Sequence, residues 1–124
     1  VALLGTILRN IHYELDGEFA WFIIDQKMMH DAKATNADVE GFSDFVRTIR
    51  GVEVAMMVLE NVDGSCRLNF RSKGKYVING IASELGGGGH QFAAGAIVDE
   101  SIGTLLTRAV EKTMSAIMTQ TGQV

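Results

Sequence analysis

The apolar positions change period several times along the chain, and each change marks an element. Leu3, Leu4, Ile7, Leu8 and Ile11 recur at helical spacing and predict a short leading helix. Asp16-Gly17 then separates Ile11–Leu15 from Glu18–Ile24, the signal of a tight hairpin. Ile11, Tyr13 and Leu15 fall on one strand face, whereas Phe19–Ile24 is apolar throughout and reads as a strand buried on both sides. Residues 25–34 are polar and tolerate a short helix. Thr35, Asn36 and Asp38 offer caps before a second helix whose apolar side is Phe42, Phe45, Val46 and Ile49, with Gly51 as its stop.

Val52–Leu59 is β-rich and nearly all apolar, which predicts a central strand. Asp63-Gly64 turns the chain back into Ser65–Arg71. There Cys66, Leu68 and Phe70 point one way, and Arg67, Asn69 and Arg71 the other. Asn79 is a cap candidate for a short helix burying Ile81, Ala82 and Leu85, and Gly86 fits its C′ position. A strand over Phe92–Val98 follows, then a helix over Ser101–Met118 with Leu105, Ala109, Thr113 and Ile117 among its inner residues. These elements predict a single α/β domain: a mixed five-stranded sheet flanked by helices. Residues 1–10 are the leading helix or the end of an interdomain linker, 11–118 the domain, and 119–124 a tail expected to fray.

Composition narrows the function without naming it. The 124 residues are 47% hydrophobic and 21% charged, an ordinary globular balance. A formal net charge of −4 gives no cationic field for a long nucleic-acid track, although a small anion needs only two or three local groups. The single Cys66 excludes a disulfide within the chain and a cysteine-built zinc site. No apolar run approaches a membrane span and no signal peptide is present, so no membrane partner and a cytoplasmic location are expected. The chain opens on Val1 and reads as a piece of a longer protein.

The chemistry concentrates at Gly86-Gly87-Gly88-Gly89-His90-Gln91-Phe92-Ala93-Ala94-Gly95. No Gly-Lys-Ser/Thr follows, and the third glycine of a dinucleotide fingerprint is missing. Both of those motifs also run from strand to helix, whereas here a helix leads into the glycines. Consecutive glycines can turn successive N–H groups onto an anion, or they can serve as a helix cap and a flexible connector. His90 adds a donor that strengthens beside a phosphate. His12 and His30 lack metal-ligand spacing and read as surface residues.

Gly86–Gly95, as Gly-Gly-Gly-Gly-His-x-x-Ala-Ala-Gly, resembles the signature of the DHH-associated domain, the C-terminal substrate-binding domain of DHH phosphoesterases. Leu68-Asn69-Phe70-Arg71-Ser72-Lys73-Gly74 resembles that family's Leu-Arg-Ser strand end, with Phe70 in the leucine position. Glu40-Gly41, Gly51–Ala55 and Phe19-Ala20-Trp21 also match, and the likeness is closest to the RecJ-like nanoRNase branch.

The resemblance implies substrate binding by Arg71, Ser72, Gly87, Gly88, Gly89 and His90. In this picture Arg71 and His90 hold phosphate, the glycines give backbone donors and room, and Ser72 supplies either a hydroxyl or a turn. Arg47 and Arg67 read as a solvated face rather than as an extension of the basic patch. The substrates implied are short oligonucleotides and 3′-phosphoadenosine 5′-phosphate. Two Mn²⁺ or Mg²⁺ ions would act in an N-terminal catalytic domain of the same protein, since this chain has no Asp-His-His triplet, catalytic residue or metal set of its own. On that expectation the parent is a hydrolase and this fragment alone is inactive. Homodimer formation stays open. Three alternatives stand beside it: a cyclic-dinucleotide phosphodiesterase, a single-strand exonuclease, or a non-enzymatic module similar to the C-terminal domain of alanyl-tRNA synthetases.

Overall fold

The structure is a computed structural model that describes residues 2–122. Along the chain it forms α1 (Ala2–Arg9), β1 (His12–Glu14), β2 (Phe19–Ile24), α2 (Gln26–Asp31), α3 (Asn36–Val39) and α4 (Phe42–Arg47). The second half adds β3 (Val54–Glu60), β4 (Cys66–Ser72), α5 (Asn79–Glu84), β5 (Gly88–His90), β6 (Ala93–Val98) and α6 (Ile102–Thr121). One sheet runs β1-β2-β3-β4-β6-β5, parallel between β2 and β3 and antiparallel elsewhere. This is the expected mixed α/β sheet, with six strands rather than five. The extra strand is β5. Glycine disfavours strands, so Gly88–His90 carries no local β signal and is held as a strand by pairing with β6.

A separate core lies on each face of the sheet. On one face α5 and α6 pack Ile81, Ala82, Leu105, Ala109 and Ile117 onto side chains from β2, β3, β4 and β6. On the other, α1 to α4 bring Leu3, Ile7, Met29, Val39 and Val46 onto β2 and β3. That second core takes no residue from β6. Ile97, which points to this side, is 71% exposed. The sheet is therefore covered on one face and only half covered on the other, and the bare half is a shelf made by β4, β6 and β5. Among the described residues, no helix is long and apolar enough to cross a membrane.

Several local expectations are corrected. Ile11, Tyr13 and Leu15 do not share a strand face: β1 spans only His12–Glu14, Leu15 takes a left-handed φ of +54°, and Ile11 packs against the core on one side of the sheet while Leu15 packs against the core on the other. Phe45 is exposed: α4 is six residues long, and Ser43 and Val46 take its buried positions. Asn79 is the first helical residue of α5 and not its cap, which is Ile78. Helix α6 runs past Met118 to Thr121, ending on left-handed Gly122. Gln120 holds that last turn down, since its side-chain amide accepts from the Val77 N–H and donates to the Val77 carbonyl, both at 2.8 Å. The rest of the expected frayed tail, residues 123–124, lies outside the described residues. The leading helix α1 buries Leu3 and Ile7 and so packs as part of the domain.

Three segments meet at Glu18. Its backbone carbonyl accepts from Glu53 and Val54, its carboxylate takes the Lys75 ammonium at 2.7 Å, and it takes the hydroxyl of the buried Tyr76 at 2.7 Å. These donors hold the Glu18 carboxyl below its ordinary range, the Lys75 hydrogen bond contributing most. A lowered folded-state value contributes stability above the ordinary glutamate range and loses it as pH falls through that value. A Glu18→Gln variant is therefore expected to show a shallower acid decline of the urea midpoint than the native chain.

Candidate functional site

The alternation predicted for β4 is what the structure shows. Cys66, Leu68 and Phe70 are buried under α5 and α6, so Arg67, Asn69 and Arg71 must face the half-covered side. Register then carries this pattern across the bare strands. Arg71 is directly opposite Ala93 on β6, and Ala93 is directly opposite His90 on β5. Directly opposed residues of antiparallel strands face the same way, so Arg71, Ala93 and His90 form one cross-strand row. Two strand spacings separate the backbones of Arg71 and His90, about 10 Å. The residue between them in the register is Ala93, whose side chain is a single methyl.

Helix α4 walls this shelf. Asp44 Oδ1 lies 3.3 Å from Arg71 Nε and 3.2 Å from an Arg47 terminal nitrogen. Arg71 also donates from one terminal nitrogen to the Phe70 carbonyl at 2.9 Å. Further along, Glu40 reaches Arg67 at 3.4 Å. An open groove of about 460 Å³ lies beside Arg67, Asn69, Gly87, Gly95 and Ile97. Asn69 is only 5% exposed, and its Nδ2 has no partner among the described residues.

The glycine run has two jobs. Gly86, at φ +90°, ends α5 in a Schellman motif: its N–H bonds to the Ser83 carbonyl and that of Gly87 to the Ala82 carbonyl. From Gly88 the chain is an edge strand, so the run is a cap followed by a strand rather than a concave nest. Close packing dictates glycine at three places. A β-carbon on Gly87 would lie 2.0 Å from the Gly95 carbonyl oxygen, one on Gly89 2.7 Å from Ala94 Cα, and one on Gly95 2.6 Å from the Leu68 carbonyl oxygen. The turn after His90 is pinned from below, where Ser72 N–H donates to the Phe92 carbonyl and Ile78 N–H to the Gln91 carbonyl.

The structure thus brings Arg71 and His90 onto one shelf beside Gly88 and Gly89, with Gly87 packed at its end. It places Ser72 elsewhere. Ser72 is buried, and its hydroxyl donates to the Tyr76 carbonyl while accepting from the Gly74 N–H at 3.1 Å. That is the turn role. Sequence reasoning passed over Asp44 and took Arg47 as a solvated face. The one available signal was their i,i+3 spacing on a helix. Among the described residues, no three His, Cys, Asp or Glu side chains come together as a metal-binding group. The residues present do not fit a two-metal centre, and no step is assigned here to a metal.

The fold is a small α/β domain with one sheet face left half bare. Residues 19–118 match the DHHA1 domain, and this chain belongs to that family. It is 29% identical over 115 residues to the bifunctional oligoribonuclease and PAP phosphatase NrnA of Thermus thermophilus, covering 93% of this chain and 33% of that protein. The Bacillus subtilis protein of the same description is 32% identical over 98 residues, covering 79% of this chain and 30% of its own length. The chain thus spans about a third of these curated relatives. An exopolyphosphatase-related protein from Bacteroides fragilis shares the fold, with a TM-score of 0.80 over 95% of this chain and 34% of that one at 24% identity.

The glycine geometry makes a stability prediction. Gly87→Ala should cost about 1–3 kcal/mol through overpacking against β6. Gly88→Ala, whose β-carbon would meet nothing nearer than Ser83 Oγ at 4.0 Å, should be neutral or stabilise by about 0.4–1 kcal/mol. Thermal melts of the two variants check the contrast.

Proposed function

We propose that this chain is the substrate-holding domain of a DHH-type phosphoesterase that acts on short oligonucleotides. The observation that carries the reading is the row of Arg71, Ala93 and His90 on an uncovered sheet face. Arg71 offers a planar fork suited to a pair of phosphate oxygens, and His90 offers a ring N–H from the opposite side of a short gap. The small Ala93 leaves that gap open. Gly88 and Gly89 on the edge strand supply backbone N–H groups and close access.

The reading has the parent protein as a hydrolase whose Mn²⁺ or Mg²⁺ ions and nucleophilic water belong to an N-terminal catalytic domain. This chain binds the phosphate and presents it. The relatives described as bifunctional oligoribonuclease and PAP phosphatase support short oligoribonucleotides and 3′-phosphoadenosine 5′-phosphate as the substrate class. A domain of net charge −4 suits a short ligand, because affinity for a long strand rises with the number of phosphates neutralised.

The test is calorimetric titration with a 5′-phosphorylated diribonucleotide. Arg71→Ala and His90→Ala should each weaken binding by about 1.5–3 kcal/mol, the worth of a charged hydrogen bond, while thermal melts stay near native. Native-like affinity in both variants overturns the assignment. The chain alone should leave the diribonucleotide intact with added Mn²⁺, and turnover by a pure sample would contradict the division of roles.

A further inference from the structure

We infer that Arg47 is a second arginine of the phosphate site, and that Asp44 is the positioning residue that sets both arginines. This rests on the reading of Arg71 as a phosphate ligand.

The starting point is that one oxygen serves two cations. Asp44 Oδ1 lies 3.2 Å from an Arg47 terminal nitrogen and 3.3 Å from Arg71 Nε. The two guanidinium groups, from α4 and β4, are therefore held around a single atom at the wall of the shelf. Neither is sequestered. The Arg71 side chain is 21% exposed and that of Arg47 33%.

The donor inventory shows what this leaves for a ligand. A guanidinium has five N–H donors. Asp44 Oδ1 forms an ion pair at the Nε end of Arg71, and one terminal nitrogen donates to the Phe70 carbonyl, so the group is held from two sides. Among the described residues, the other terminal hydrogens of Arg71 have no partner. Because Asp44 takes the Nε side through one oxygen, the two-nitrogen edge that matches a phosphate is not blocked by a forked carboxylate. Arg47 adds a second cation whose distance from Arg71 is set by their common partner.

Charge balance agrees. Two arginines and one carboxylate leave a net positive charge at the α4 wall. Without Asp44 the like charges would repel and the long side chains would spread into solvent. The carboxylate holds the pair together and is not itself a ligand. Glu40 and Arg67 repeat the pairing further along β4, so α3–α4 presents carboxylates to the arginines of the shelf at two heights.

The experiment measures binding of a 5′-phosphorylated diribonucleotide to the whole chain at several salt concentrations. Arg47→Gln should weaken binding about tenfold at low salt and reduce the slope of log affinity against log salt by close to one. Asp44→Asn should also weaken binding, and should shift the Arg71 Nε–H resonance while leaving that of Arg108, paired with Glu100, unmoved. Asp44→Glu, which keeps the charge on a longer arm, should recover part of the affinity. If Arg47→Gln fails to fold, Arg47→Lys replaces it and should keep the salt slope while losing affinity. Unchanged affinity and slope on removing Arg47 would overturn the inference. So would tighter binding by Asp44→Asn, which would make the carboxylate a competitor. If Arg71→Ala weakens binding while Arg47→Gln leaves affinity and salt slope unchanged, only this inference falls; if Arg71→Ala binds like the native chain, the reading of Arg71 as a phosphate ligand falls with it.

Discussion

The side-chain alternation along β4 constrains everything functional in this domain. Burial of Cys66, Leu68 and Phe70 under α5 and α6 leaves no choice for their neighbours, because a strand has only two faces. A slip of one residue would bury Arg67, Asn69 and Arg71 in the larger core and expose three apolar side chains. Core packing thus sets the direction of the arginines without any contact of their own. The same register, carried across β6, delivers His90 to the row of Arg71 from a segment with almost no side chains.

What α1–α4 leave uncovered matters as much as what they cover. The helices on that face stop at β4, so the arginines of the shelf border the carboxylates of Asp44 on α4 and Glu40 just after α3. Global charge would not have located it: the chain is acidic overall, and the local field comes from placement. Arginine suits this position because it can be fixed by one edge and still donate from another.

Most of the fold was legible from the residues. The two Asp-Gly turns, the uninterrupted apolar run of β3 and the alternation of β4 are local signals that tertiary structure reinforces. The missed strand β5 had no such signal, since its glycines pair only because β6 lies beside them. Exposed Phe45 misled for a related reason: period alone cannot say where a covering layer ends. At the site, the glycine–histidine run and Arg71 could be read as motifs. The link between Asp44 and Arg71 could not, because it joins a helix to a strand 27 residues further on. Ser72 shows the reverse case, a motif residue whose hydroxyl is spent inside a turn.

Both outer strands of the sheet, β1 and β5, are three residues long. Such stubs give another chain too few unpaired backbone groups to extend the sheet, a protection against runaway strand addition. A second domain or a second copy, were one to bind, would have to use a face or a helix. The half-bare face can be approached without breaking a backbone ladder. A neighbour docked there would close over whatever the shelf holds and seal it from water. In this arrangement short edges protect against strand addition while leaving the sheet face accessible.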